Sequence, residues 1–131
     1  MRVFTIACLL LTIVSALCAQ GWSTDPSSPT AILSGPGKQV LPKVVITNAH
    51  YSFFTLFNNA SGGYFPQILA FNPAGNHLLD PPTGYMLSDN PSDTWLTDYD
   101  LTHDQSDNAL ITWQDIRSGT NNVYVYKFAR S

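Results

Sequence analysis

Glutamate is absent from this sequence of 131 residues, and cysteine is nearly absent. All nine acidic residues are Asp, and the two cysteines, Cys8 and Cys18, both lie near the N-terminus. Glu favours helices whereas Asp favours turns and caps, so this composition argues against long helices. The chain after residue 18 has no disulfide framework, and an ordinary apolar core must therefore hold it together.

Cations are also scarce. The chain has six Lys and Arg residues against nine Asp residues, which gives a formal net charge of −3. Binding of nucleic acid requires clustered Lys and Arg side chains that neutralise phosphates, and the cations of this chain are scattered. We therefore expect no nucleic acid among its partners.

The N-terminus has the organisation of a secretory signal peptide. Met1 and Arg2 form a short positive region, residues 3–17 are apolar, and Ala19 is a small residue at the expected cleavage point before Gln20. The apolar run is shorter than the roughly 20 residues of a membrane-spanning helix, which disfavours the alternative of an anchor. We expect removal of residues 1–19, which leaves a single secreted or periplasmic domain, residues 20–131, without a membrane span.

Short β-type runs separated by turn residues make up most of the remaining chain. A short apolar run at residues 31–33 predicts one strand, and runs rich in β-branched and aromatic residues occupy residues 43–47, 51–57, 67–71, 109–113 and 123–128. The last two runs enclose a polar turn from Gln114 to Asn122, which predicts a β-hairpin. The expected core consists of Ile32, Val45, Phe54, Leu56, Phe57, Ile68, Phe71, Leu87, Leu110, Trp113, Val125 and Phe128.

The second half of the sequence repeats the first. When Phe57 is set against Trp113, residues 54–57 correspond to residues 110–113, residues 32–34 to residues 86–88, and Gly63 to Gly119, with a period of about 56 residues. Repeats of roughly 40–50 residues with four short strands each are typical of β-propeller blades. The predicted fold is all-β, with two blade-like four-stranded antiparallel units of a partial β-propeller over approximately residues 30–80 and 84–131. A β-sandwich is the alternative.

A motif in the second unit is similar to a known repeat. Trp113, Asp115, Arg117 and Gly119 at alternate positions, followed by Tyr124, resemble the Trp-x-Asp-x-Arg-x-Gly…Tyr repeat of β-propeller segments in large secreted bacterial proteins. The resemblance implies a structural turn motif and no catalytic residue. In the first unit, Phe57, Asn59 and Ser61 stand at the Trp, Asp and Arg positions.

Residues 88–95 carry a second similarity, to the Asp-box Ser-x-Asp-x-Gly-x-Thr-Trp of sialidase-type propellers. Only Ser88, Thr94 and Trp95 match, and Asn90 and Ser92 replace residues that would make the turn. We therefore interpret this match as chance.

Asp115 and Arg117 lie at the mouth of the predicted hairpin turn. They could recognise an acidic ligand, but a salt bridge that clamps the turn is the interpretation we favour. The polar run of residues 98–107 could offer oxygen ligands to Ca²⁺. An EF-type loop counted from Asp98, however, would have His103 where Gly is required and Ala109 where Glu is required, which favours a solvated loop.

No catalytic constellation stands out in the sequence. His50, His77 and His103 fall in predicted loops without metal-ligand spacing, and the nucleophile-elbow pattern is absent. We therefore expect no enzymatic activity, no cofactor and no metal, and predict a secreted binding or scaffolding module. Its expected partner is a protein or glycan at the cell surface, or another copy that associates through exposed sheet faces, because two blades do not close a propeller. The alternatives are a glycan-binding or glycan-processing, sialidase-like propeller fragment, and a truncated piece of a longer repeat protein.

Overall fold

The computed structural model describes residues 21–92, 96 and 98–130. Within these residues the chain forms seven β-strands and no helix. The strands are β1 (Gln39–Ile46), β2 (Ser52–Asn58), β3 (Phe65–Phe71), β4 (Tyr85–Met86), β5 (Tyr99–His103), β6 (Ala109–Asp115) and β7 (Asn122–Phe128). The predicted signal peptide, and Thr94 and Trp95 of the Asp-box similarity, lie outside the described residues.

The strands form two antiparallel sheets in which neighbours in sequence are neighbours in space. The first sheet has the order β1-β2-β3-β4, and the second has the order β5-β6-β7. The prediction of an all-β fold with antiparallel strands is confirmed. The prediction of four strands in each unit is wrong for the described part of the second sheet, which has three. Tyr85–Met86 pairs with β3, so β4 completes the first sheet instead of opening the second unit.

The two sheets pack face to face on one apolar core. The buried core residues are Phe53, Phe57, Ile68 and Ala70 from the first sheet and Tyr99, Ala109, Ile111 and Trp113 from the second. Tyr99 links the sheets, because its hydroxyl donates a 3.0 Å hydrogen bond to the carbonyl of Thr55 and its ring contacts Phe57 edge-on at 5.2 Å. Burial raises the pKa of Tyr99, so its hydroxyl stays protonated and able to donate.

The other face of the first sheet is covered by residues 21–34, which we call the strap. Ile32 and Leu33 of the strap pack against a buried cluster of Leu56, Leu69 and Phe71. The Trp22 ring lies edge-on, 5.0 Å from the Phe71 ring. The predicted strand at residues 31–33 is therefore wrong, because these residues lie on the face of the sheet and do not pair with its edge.

Strand β5 occupies half of the polar run that the sequence assigns to a solvated loop. Tyr99 is buried and Leu101 is half-buried, whereas Asp100 and Thr102 between them are exposed. This alternation is that of a strand with one buried face, and the high Asp content of the run conceals it. The prediction of a loop is wrong for Tyr99–His103, and the turn begins only at Asp104.

The two sheets correspond at an offset of 57 residues. Ser52 pairs with Phe71 in the first sheet, and Ala109 pairs with Phe128 in the second. The turns match at the same offset, since His50 and Asp107 both have positive φ, at 62° and 61°. The sequence alignment of Phe57 with Trp113 is thus one residue short, and Leu56 is the counterpart of Trp113.

This one-residue difference decides which faces meet, because adjacent side chains point to opposite faces of a strand. We call the face of the first sheet that bears Phe53 and Phe57 its front face, and the face that bears Phe54 and Leu56 its back face. We give the second sheet the same names through the offset of 57. Its front face is therefore the face that bears Leu110, the counterpart of Phe53. Its back face bears the two buried core residues Ile111 and Trp113. The front of the first sheet therefore packs on the back of the second.

The predicted core is confirmed in part. Leu56, Phe57, Ile68, Phe71 and Trp113 are buried. Six others, Ile32, Val45, Phe54, Leu87, Leu110 and Phe128, are half-buried. The prediction for Val125 is wrong, because its side chain is 68% exposed on the front face of the second sheet.

Candidate functional site

The turn between β6 and β7 contains an ionic cluster centred on Asp115, which ends strand β6. One carboxylate oxygen of Asp115, Oδ1, accepts hydrogen bonds from the backbone N–H and the Nε–H of Arg117, both at 3.0 Å. The other oxygen, Oδ2, accepts from Arg117 Nε–H at 2.8 Å, from the indole Nε1–H of Trp113 at 3.0 Å and from the hydroxyl of Ser88 at 3.2 Å. Both oxygens of this buried carboxylate thus accept two or more hydrogen bonds from within the protein.

The guanidinium of Arg117 also contacts two aromatic rings. It lies 4.4 Å from the centroid of the Tyr124 ring and 5.6 Å from that of Trp113, which are cation–π distances. Gly119 closes the turn with φ of 85° and donates a 2.8 Å hydrogen bond to the carbonyl of Ile116. The structure therefore brings Trp113, Asp115, Arg117, Gly119 and Tyr124 together in one turn.

The charges in the cluster reinforce each other. Hydrogen bonds from Arg117 lower the pKa of Asp115 to about 2, and Asp115 in turn raises the pKa of Arg117. Both groups are consequently ionised at neutral pH and are occupied with each other. An acidic ligand would have to displace Asp115 from Arg117, so this geometry suits a turn clamp better than a recognition site.

Ser88 is the member of the cluster that sequence reasoning missed. It is 5% exposed, and its hydroxyl accepts a 2.9 Å hydrogen bond from Arg117 Nη2 while it donates to Asp115. The sequence offers no signal for this contact, because Ser88 lies 27 residues before Asp115 and stands out only in the weak Asp-box similarity. Through Ser88 the cluster ties the segment after β4 to the second sheet.

A pocket of about 390 Å³ lies beside the cluster. Its lining includes Tyr64, Asn90, Pro91, Gln114 and Asn121. The Nδ2 amide group of Asn90 is buried and has no hydrogen-bond partner. An unpaired buried donor next to further amides and an aromatic ring is a polar arrangement that a hydroxyl-rich ligand could satisfy.

The run of residues 98–107, for which calcium binding was the less favoured alternative, contains a carboxylate that is used within the protein. Asp104 accepts hydrogen bonds from the backbone N–H groups of Ser106 and Asn108 at 2.8 and 3.0 Å. It also pairs with Lys127 at 2.6 Å. Hydrogen bonds from Lys127 and then Asn108 lower the pKa of Asp104. In the described part of the chain, no group of three or more His, Cys, Asp or Glu side chains is arranged to hold a metal ion.

The three histidines lie in three different segments of the fold. His50 is in the turn between β1 and β2, and the His77 ring lies tilted against the Phe71 ring with centroids 4.3 Å apart. His103 belongs to β5, which corrects the prediction that it lies in a loop.

The front face of the second sheet carries apolar side chains that the described part of the chain leaves uncovered. Val123 and Val125 are 76% and 68% exposed there, and Leu110 and Thr112 beside them are half-buried. The corresponding face of the first sheet is buried, with Phe53 and Ile68 fully inaccessible to solvent. Exposed apolar surface rimmed by polar groups is a typical feature of interaction sites.

Comparison of the chain with protein-family models, with curated proteins and with solved structures gives no match. Among the described residues there is also no helix with the length and apolarity needed to cross a membrane.

Proposed function

We propose that this chain is a secreted, non-enzymatic module of two blade-like β-repeat units that acts in binding or scaffolding, at the cell surface or outside the cell. The equal registers of the two sheets and their matching turns support the proposal of a repeat. The front-to-back packing supports the comparison with propeller blades, because each sheet presents the same face in the same direction along the stack.

The observation that carries the proposal is the uncovered front face of the second sheet. Val123 and Val125 are exposed although their counterparts, Pro66 and Ile68, are buried under the neighbouring sheet. The ionic cluster is compatible with this proposal, because Asp115 and Arg117 satisfy each other and neither of the two is free to act as an acid or a base. We therefore propose that a partner binds the front face of the second sheet and not the Asp115–Arg117 cluster.

An assay for glycoside turnover tests the non-enzymatic part of this proposal. We expect no hydrolysis of a panel of fluorogenic glycosides by the secreted chain. Turnover that one Asp→Asn substitution abolishes would contradict the proposal, and scanning all the Asp residues after residue 19 would identify the group responsible.

The second candidate function is glycan binding, which the pocket beside Asn90 favours. Asn90, Gln114 and Asn121 line this pocket beside Tyr64, and amides next to an aromatic ring could bind sugar hydroxyls and a sugar face. A glycan array measures this directly. A signal that Asn90→Ala removes and that Asn76→Ala, an exposed asparagine outside the pocket, leaves intact would favour glycan binding over a protein scaffold.

A further inference from the structure

The packing inside this chain shows what kind of surface fits a front face. The front face of the first sheet is covered by a back face, that of the second sheet, which contributes Ile111 and Trp113 to the shared core. The front face of the second sheet has the same register and carries Leu110, Thr112 and Val125 at the positions of Phe53, Thr55 and Ile68. The complement of this exposed surface is thus another back face.

The exposed front face combines apolar and polar side chains. Across its two strands Leu110 pairs with Lys127, Thr112 with Val125 and Gln114 with Val123. Gln114 and Lys127 stand where the first sheet has Phe57 and Ala70, so this face is more polar than its buried counterpart. A mixed polar and apolar surface is typical of interfaces between separate proteins.

We propose that the front face of the second sheet docks the back face of an antiparallel β-sheet unit presented by another polypeptide, in the same orientation in which the second sheet docks on the first. This inference rests on the proposed scaffolding function and names its partner. The partner face carries an aliphatic and aromatic row of the Ile111 and Trp113 type. The strap explains why the stack does not extend in the other direction, because Trp22, Ile32 and Leu33 already cover the back face of the first sheet.

The chain itself supplies a probe for this surface, because removal of the strap uncovers the back face of its first sheet. The donor is the full chain with Trp22→Asp and Leu33→Asp, which place charges where the strap meets the sheet, and with Val125→Lys, which blocks its own front face. A second full-length donor carries Ile32→Asp, Leu33→Asp and Val125→Lys, and it is used if the strap of the first donor still covers the sheet. The acceptor is the unmodified secreted chain.

Light scattering after size-exclusion chromatography gives the result, with circular dichroism as the check that each variant is folded. We expect one donor to bind one acceptor, at concentrations where each alone is monomeric. An acceptor with Val125→Lys should bind at least about tenfold more weakly, because the lysine side chain would be buried against the apolar back face of the donor. The matched control is an acceptor with Val44→Lys, also an exposed strand valine at 55%, which should bind like the unmodified chain.

Failure of both folded donors to bind, or equal weakening by Val125→Lys and Val44→Lys, would overturn the inference. Either result leaves the non-enzymatic proposal standing, because that proposal is tested by glycoside turnover and fails only there. Binding that depends on Val125 supports the docking surface independently of any assay of activity.

Discussion

At the scale of single residues, Asp115 is the group on which the turn between β6 and β7 depends. Its side chain is 7% exposed and receives hydrogen bonds from Trp113, Arg117 and Ser88. Replacement by Asn keeps the shape but removes the charge that all three donors share. We expect Asp115→Asn to lower the free energy of unfolding by about 1.5–3 kcal/mol, measured by urea denaturation.

Asp100→Asn is the matched control for this substitution. The Asp100 side chain is 78% exposed in its ion pair with Lys43, and water replaces the lost contact. We expect almost no change in stability. Equal destabilisation by the two substitutions would show that the cluster is no stronger than a surface ion pair.

The pKa of Asp115 predicts how acid affects the fold. The pKa of this carboxyl is 3.8 when unperturbed, and hydrogen bonds from Arg117 lower it to about 2 in the folded chain. A lowered folded-state pKa contributes stability that is present above the unperturbed pKa and is lost as the pH falls toward the folded value. We expect the stability difference between the unmodified chain and Asp115→Asn to shrink between about pH 5 and about pH 2. A difference that stays constant over this interval would contradict the assignment.

The five residues of the turn motif could be predicted from the sequence because they lie within one hairpin. Ser88 could not, since its contact with Asp115 depends on how the first sheet ends and the second begins. The unpaired amide of Asn90 is likewise visible only once the fold brings Tyr64 and Gln114 near it.

At the scale of elements, glycines with positive φ determine where two turns can form. Gly84 precedes β4 with φ of 86°, and a Cβ atom there would lie 2.2 Å from the carbonyl oxygen of Ile68. Gly119 has φ of 85° with no atom within 4 Å of such a Cβ. We expect Gly119→Ala to cost about 1–2 kcal/mol through backbone conformation alone. Gly84→Ala should cost more, because it also pushes β4 away from β3.

Urea denaturation of the two variants measures this difference, and Gly119→Ala serves as the control for the conformational part. Similar losses in the two variants would mean that β4 moves away from β3 at little cost. In that case β4 would contribute little to the first sheet.

The predicted strands agree best with the structure in the two hairpins. Residues 51–57 and 123–128 lie within one residue of β2 and β7, because alternating apolar residues and clear turn residues mark both. From the sequence, Tyr99–His103 resembles a loop because its polar residues, which face solvent, dominate its composition. Residues 31–33 resemble a strand because an apolar run in a sequence does not show whether it pairs with an edge or covers a face.

At the scale of the whole molecule, the direction of stacking was not predictable from the sequence. A repeat aligned at 56 residues places Phe57 opposite Trp113, whereas the sheets correspond at 57. A shift of the alignment by one residue exchanges the two faces of a strand. The same motifs are then expected to pack through the opposite face. The wrong prediction for Val125 has a different cause: its counterpart Ile68 is buried beneath the second sheet, whereas no further sheet in the described chain covers Val125.

Because the two sheets share one core, we expect that neither sheet is stable alone. Native-state amide hydrogen exchange in increasing urea measures this, because it reports the opening free energy of each strand. We predict that the slowest amides of β2 and β6 converge on a single opening transition, since Phe57 and Ile111 belong to the same core. Separate transitions, with β6 opening while β2 remains protected, would contradict the shared core and the front-to-back stack built on it.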